Sequence, residues 1–174
     1  MTALRMATTK KRRVFEEGHR RKYLVIVDES EEVEAALYYA ALRVAHTSGS
    51  ILLLYVIEPQ EYQHWVGVRQ VQLEEETNKA KALFRLFRRK LNAAGFESVH
   101  TEEVIREGKK AEAILELIEE DEDIAVLTLG AATDAMGPGP LVSSLAAGTT
   151  AGSFPIPITI VPGNLTLEEL QALA

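Results

Sequence analysis

Asp28 and Ser30 follow an apolar run. The carboxylate could accept hydrogen bonds from a ligand's hydroxyls, and both groups could equally turn the chain and cap a helix. Further on, Gly130 closes another apolar run. It leads into a loop holding Gly137-Pro-Gly-Pro140 and then Ser143 and Ser144. Glycines there would let backbone N–H groups approach a phosphate, and serine hydroxyls would add donors. Against that, Pro138 and Pro140 each remove a donor, and the GPGP stretch reads equally as rigid punctuation. The serines lack a G-x-S-x-G elbow, so a hydrolase nucleophile is not expected, and their plain reading is helix capping. His19, His46, His64 and His100 show no metal spacing, and the chain has no Cys. No structural metal is expected, and disulfides and thiolate chemistry are excluded. Glu119-Glu-Asp-Glu-Asp123 reads as a solvated helix end, and Arg85, Arg88, Arg89 and Lys90 as an exposed helix face. Trp65 reads as a surface side chain or a flap over a ligand mouth.

Alternating buried strands and amphipathic helices would hold these residues in place. Tyr23 to Val27 and Ile51 to Ile57 are continuous apolar runs, as strands covered on both faces require. Ser30 is the expected N-cap of a helix whose apolar positions are Val33, Leu37, Ala40 and Val44. Glu58 to Gln70 reads as a loop, followed by a long helix with Leu73, Ala80, Phe84, Phe87 and Leu91 on one face. A strand near Val99 to Ile105, a helix opened by Gly108 and a strand over Ile124 to Leu129 come next. A weakly specified short helix follows, and Pro157 introduces the last strand, Ile158 to Val161. Thr166 and Glu169 form a capping-box pattern. The order βαβαβαβαβ predicts an α/β domain: one doubly wound, mostly parallel five-stranded sheet with helices on both faces. Ligands of such sheets sit beyond the carboxyl ends of the strands, where the strand order reverses.

The 174 residues suit one domain, with residues 1–22 as a flexible basic tail, 23–163 as the α/β body and 164–174 as a short C-terminal helix. Residues 1–22 carry eight basic and two acidic side chains, whereas the rest carries eleven basic and twenty-four acidic ones. An acidic body does not favour nucleic acid, so such a role would rest on the tail, whose sharper reading is docking on an anionic surface. The longest apolar run is seven residues, far short of the roughly twenty of a membrane span, and the basic N-terminus lacks the apolar stretch of a secretory signal. A cytoplasmic location is the expectation.

Val27-Asp-Glu-Ser30, Leu54-Tyr-Val56, Leu129-Gly130 with Ser143-Ser144, and Pro157-Ile-Thr-Ile-Val161 occur in an order and spacing that resemble the universal stress protein family. The Gly108-Lys-Lys-Ala-Glu-Ala-Ile114 stretch also resembles that family's third helix entry, and the likeness covers about residues 22–163. It implies a Rossmann-like fold of the adenine nucleotide hydrolase type and a non-catalytic stress-response role by regulated binding. The implied ligand is ATP or another adenine nucleotide. By resemblance Asp28 would face adenosine, Val56 would offer backbone contacts to adenine, and Gly130, Thr133, Ser143 and Ser144 would occupy the phosphate positions. ATP-binding members carry Gly-x2-Gly-x9-Gly-Ser/Thr here. This chain departs from that pattern with Thr133 at the second Gly and Ser143-Ser144 at the final pair, so the glycine motif is degraded. A Thr at positive φ is costly, which predicts a different loop path, and Asp134 sets a negative charge beside the phosphate positions. The resemblance also implies a homodimer through the last strand. The rivals are a ligand-free dimeric interaction module and a nucleotide hydrolase. Related synthetases carry a Ser-Gly-Gly-x-Asp-Ser loop that Asp28-Glu29-Ser30 lacks.

Overall fold

Strict alternation inside two apolar runs sets the architecture. In the first strand Tyr23 and Val25 point into one core and Leu24 and Ile26 into another. The second strand repeats this, with Ile51, Leu53, Tyr55 and Ile57 on one side and Leu52, Leu54 and Val56 on the other. A strand buried on both faces has no polar side, which is why the sequence shows no polar alternation.

The computed structural model describes residues 10–60 and 66–174. Its elements are β1 (Lys22–Ile26), α1 (Val33–Thr47), β2 (Ser50–Ile57), α2 (Val66–Ala93), β3 (Thr101–Glu107), α3 (Lys110–Glu120), β4 (Ile124–Ala131), β5 (Ile158–Pro162) and α4 (Leu167–Leu173). All strand pairs are parallel, in the order β3-β2-β1-β4-β5. The chain therefore winds outward from β1 through β2 to β3, returns to β4 on the other side, and reverses between β1 and β4. Helices α1, α2 and α4 pack on one face, and α3 with the turn at Val142–Ala146 packs on the other.

Three local expectations change. Helix α2 begins at Val66, so the loop after β2 is shorter than Glu58 to Gln70; His64 and Trp65 lie outside the described residues. Ser30 does not cap α1. That helix starts at Val33 after Glu32 without a side-chain cap, because the Ser30 hydroxyl is taken up by Asp28. The weak helix after Pro140 is a five-residue π-type turn, Val142–Ala146, which neither Ser143 nor Ser144 caps. The capping box of α4 is present, with Thr166 N–H donating to Glu169 at 2.8 Å. Leu170 of α4 is fully buried in the core that α1 lines, so α4 folds back on α1 and leaves Ile160 of edge strand β5 44% exposed.

The described part of the basic segment makes contacts with the body. Arg12 donates from one guanidinium nitrogen to the carbonyls of Ile118 (2.8 Å), Asp121 (3.0 Å) and Ile124 (3.2 Å). Two of these carbonyls, those of Ile118 and Asp121, lie at the C-terminus of α3, where helix carbonyls run out of helical partners, and the third opens β4. Arg13 reaches Glu122, and His19 Nδ1 lies 2.7 Å from Asp123. The acidic run read as a solvated helix end is therefore where residues 10–21 dock.

Two groups make the fold sensitive to alkali. Burial opposes the charge on Lys22, but hydrogen bonds to Asp121 (2.8 Å) and Glu102 (3.0 Å) outweigh it and raise its pKa. Tyr55 is pushed well above the ordinary tyrosine value, first by burial and then by its 2.7 Å hydrogen bond to Glu76. Both pKa values are raised by folding, so both contributions are complete below the unfolded values, about 10.4 for Lys and 10 for Tyr, and fade as pH rises past them. Urea unfolding should show stability declining above about pH 10, with a shallower decline in Lys22→Met and Tyr55→Phe. An identical decline in both variants would rule out these groups as its source.

Candidate functional site

The gap between β1 and β4 is where a doubly wound sheet gathers its site. At the end of β1, Val27 N–H makes a parallel-strand bond to Leu54 O at 2.8 Å, and the chain then turns sharply. Asp28 makes the turn: its Oδ1 accepts from the backbone N–H of Ser30 at 2.8 Å and from the Ser30 hydroxyl. That leaves Oδ2 facing the gap. Across it, the β3–α3 turn is held by Gly108, whose N–H donates to Ile57 O at 3.0 Å and whose φ of 134° suits glycine. The turn brings Lys110, first residue of α3, over Asp28. The ammonium lies 4.0 Å from Asp28 Oδ2 and 3.7 Å from Glu58. Both separations exceed hydrogen-bond length, so the ammonium is committed to neither carboxylate.

On the far side Gly130 lets α1 approach. A Cβ there would lie 2.1 Å from the Glu32 carbonyl oxygen, and one at Gly163 would lie 2.8 Å from Glu32 Cβ. Asp28, Ser30, Glu32, Lys110, Gly130 and Gly139 thus line a narrow slot of about 40 Å³. The slot adjoins an open hollow of about 710 Å³ lined by Glu31, Glu32, Thr133, Asp134, Met136 and Ser143, among others. The hollow is within the roughly 300–1,000 Å³ range of small-molecule sites, whereas the slot has room for little more than water.

Of the residues selected from sequence, Asp28 and Gly130 meet in the slot, and Thr133 and Ser143 border the hollow. Val56 is buried at the end of β2 and lines neither space, and Ser144 is exposed and lines neither. Thr133 does not adopt a positive φ, and the loop's left-handed turns fall at Gly137 and Gly139. The loop also consumes its own donors. Ala132 N–H binds Pro138 O at 3.0 Å, Met136 N–H binds Asp134 Oδ1 at 2.8 Å, and Gly137 N–H binds Asp134 O at 3.1 Å. Those N–H groups do not point into a cradle. Lys110 and Glu32 were missed as site residues. Neither carries a local signal: Glu32 stands at the entry of α1 and Lys110 opens α3, and the fold alone sets them beside Asp28 and Gly130. Among the described residues no group of three or more His, Cys, Asp or Glu side chains is placed to hold a metal ion.

The family model for the universal stress protein family matches residues 19–162. The chain belongs to that family. The match spans every strand and α1 to α3, and it starts inside the docked basic segment. The fold is shared with the universal stress protein UspA from Lactobacillus plantarum, at 21% identity and TM-score 0.62 over 82% of this chain and 97% of that one. A universal stress protein solved in complex with cAMP matches at 19% identity and TM-score 0.53, over 82% and 97% of the two chains. One from Archaeoglobus fulgidus in complex with dAMP matches at 14% identity and TM-score 0.52, over 82% and 98%. At these identities the likeness carries the fold alone. No curated protein sequence matches the chain.

The approach of α1 to Gly130 is backbone against backbone, with no side-chain end to give way. Gly130→Ala should therefore destabilise the protein by about 1–3 kcal/mol, the usual cost of overpacking a close contact. Gly152→Ala, where a new Cβ meets nothing within 4 Å, is the control and should change little. Urea denaturation of both variants measures this, and equal midpoints would refute the close approach.

Proposed function

We propose that this universal stress protein acts in the cytoplasm as a non-catalytic responder, binding an adenine nucleotide at the cleft between Asp28 and Gly130. The observation that carries the reading is the Asp28 carboxylate at the point of strand reversal. One oxygen is fixed by Ser30 and the other is turned to the gap, the arrangement a ligand hydroxyl needs as acceptor. Relatives of the same fold solved with cAMP and dAMP support the adenine class. The residues fit an adenosine hydroxyl better than a triphosphate, since the N–H groups of Ala132, Met136 and Gly137 in the loop after Gly130 are bonded within the loop. Entry of a sugar beside Asp28 requires the slot to widen, with Lys110 or the Pro138–Val142 side giving way.

A thermal-shift titration with adenosine, AMP, ADP and ATP tests the reading. A ligand at a hundred times its dissociation constant stabilises by about 2.7 kcal/mol. AMP should shift the midpoint at least as far as ATP, and Asp28→Asn should lose most of the shift. No shift with any of the four at millimolar concentration rejects nucleotide binding and leaves the ligand-free interaction module.

We also propose a homodimer through β5, supported by the exposed Ile160 on an unpaired strand edge. Pro157 and Pro162 bracket that strand and restrict pairing to its centre, where a two-fold axis would bring Thr159 and Ile160 against their own copies. Sedimentation at tens of micromolar should show a dimer in the wild type and a monomer in Ile160→Lys. A wild-type monomer, or a dimer indifferent to the lysine, excludes this interface.

A further inference from the structure

The walls of the cleft are unevenly charged. Among the described residues lining the slot or the hollow, Lys110 is the single cation, against the carboxylates of Asp28, Glu31, Glu32 and Asp134. Asp28 is occupied in its turn. Glu32 borders both spaces, and its Oε1 lies 3.9 Å from where a Cβ on Gly139 would be, at the junction of slot and hollow. Its carboxylate makes no ion pair or hydrogen bond among the described residues. Asp134 accepts one bond from Met136 N–H and is otherwise exposed at the loop tip. Lys110 is loosely held and stands at the N-terminus of α3, where the helix dipole adds a positive contribution.

A nucleotide seated by its sugar at Asp28 would therefore find one positive group close by and only negative groups beyond it. We propose that the cleft selects its adenine nucleotide by charge: Lys110 receives a single phosphate, and Glu32 and Asp134 turn further phosphates away. The proposal rests on the nucleotide reading above and narrows it to adenosine carrying one phosphate group. Like charges placed side by side across an interface weaken binding, and salt screens the effect when they are partly exposed.

Calorimetric titration of the full chain with adenosine, AMP, ADP and ATP, in EDTA at fixed ionic strength, tests it. In the wild type AMP should bind tightest and ATP about tenfold more weakly, a gap that narrows at high salt. In the Glu32→Gln, Asp134→Asn double variant the gap should shrink to about threefold or less. In Lys110→Met the ratio of AMP to adenosine affinity should fall to about one. ATP binding as tightly as AMP in the wild type overturns the proposal. So does a gap that survives the double variant, or an AMP preference that survives Lys110→Met. Repeating the series with Mg²⁺ adds an independent arm. ATP that becomes the tightest ligand with Mg²⁺, and loses that rank in the double variant, would show the carboxylates recruiting a cation instead. Adenosine that binds while the phosphate series is flat defeats charge selection alone. Failure of all four ligands defeats the nucleotide reading and charge selection with it.

Discussion

Everything at the carboxyl end of the sheet depends on how closely α1 enters against β4. Glu32 brings its carbonyl oxygen to where a side chain at position 130 would begin, and its Cβ to where one at 163 would begin. Glu32 alone thus requires the glycine at 130, and at 163 it acts together with the Ala131 carbonyl oxygen, which would lie 2.6 Å from a Cβ there. The contact puts the first turn of α1 against the β4 and β5 ends, so the Asp28 turn cannot swing away from the strand reversal. With that side fixed, the β3–α3 turn at Gly108 is the remaining wall, and it delivers Lys110. A glycine that permits close approach also leaves the neighbouring wall without side chains, which is why a cleft forms there at all.

Charge is divided between the two ends of the sheet. At the amino end of the strands, Arg12, Arg13, His19 and Lys22 meet the acidic run from Glu119 to Asp123. The pairing matters chiefly through Arg12, which ties the end of α3 to the start of β4 by donating to the carbonyls of Ile118, Asp121 and Ile124. The flanking surface pairs add little, as exposed ion pairs generally do. Among the described residues no such basic segment covers Glu31, Glu32 and Asp134 at the carboxyl end. The acidity of the chain is therefore compensated where it is structural and left open where a ligand would enter.

What could be read in the sequence follows from the range of the forces involved. Strands β1 and β2 were legible because burial on both faces writes itself as an unbroken apolar run. The box at Thr166 and Glu169 was legible because both partners lie within one helical turn. The docking of the basic segment was not, since Lys10 and Glu119 are 109 positions apart and two charge runs look alike whether they meet or face solvent. Ser30 was misjudged for a related reason: a hydroxyl beside an aspartate can cap a helix or close a turn, and the choice lies in where the chain goes next. In the site, Asp28 and Gly130 were found by their place at strand ends. Lys110 was not, because its relevance appears only when β3 and α3 fold back beside β1. At Thr133 the sequence rule was local: a β-branched residue avoids positive φ, and the loop's left-handed turns fall at Gly137 and Gly139.

The two edges of the sheet show how composition limits assembly. Strand β3 lies at one edge and carries Glu102, Glu103, Arg106 and Glu107, a charged strand of the kind that resists pairing with another chain. Neighbouring helices pair with these charges, with Arg88 of α2 on Glu103 at 3.1 Å and Arg106 of the strand itself on Glu120 of α3 at 2.8 Å. Strand β5, at the other edge, has no charged side chain and shows Ile160 to solvent, while α4 packs on α1 and does not hide it. A sheet with one guarded edge and one short apolar edge can join a single copy of itself but cannot propagate through both edges. The prolines at 157 and 162 tighten the limit, because neither can donate a backbone bond. The asymmetry is built from side-chain choice, since both edges have the same parallel backbone geometry.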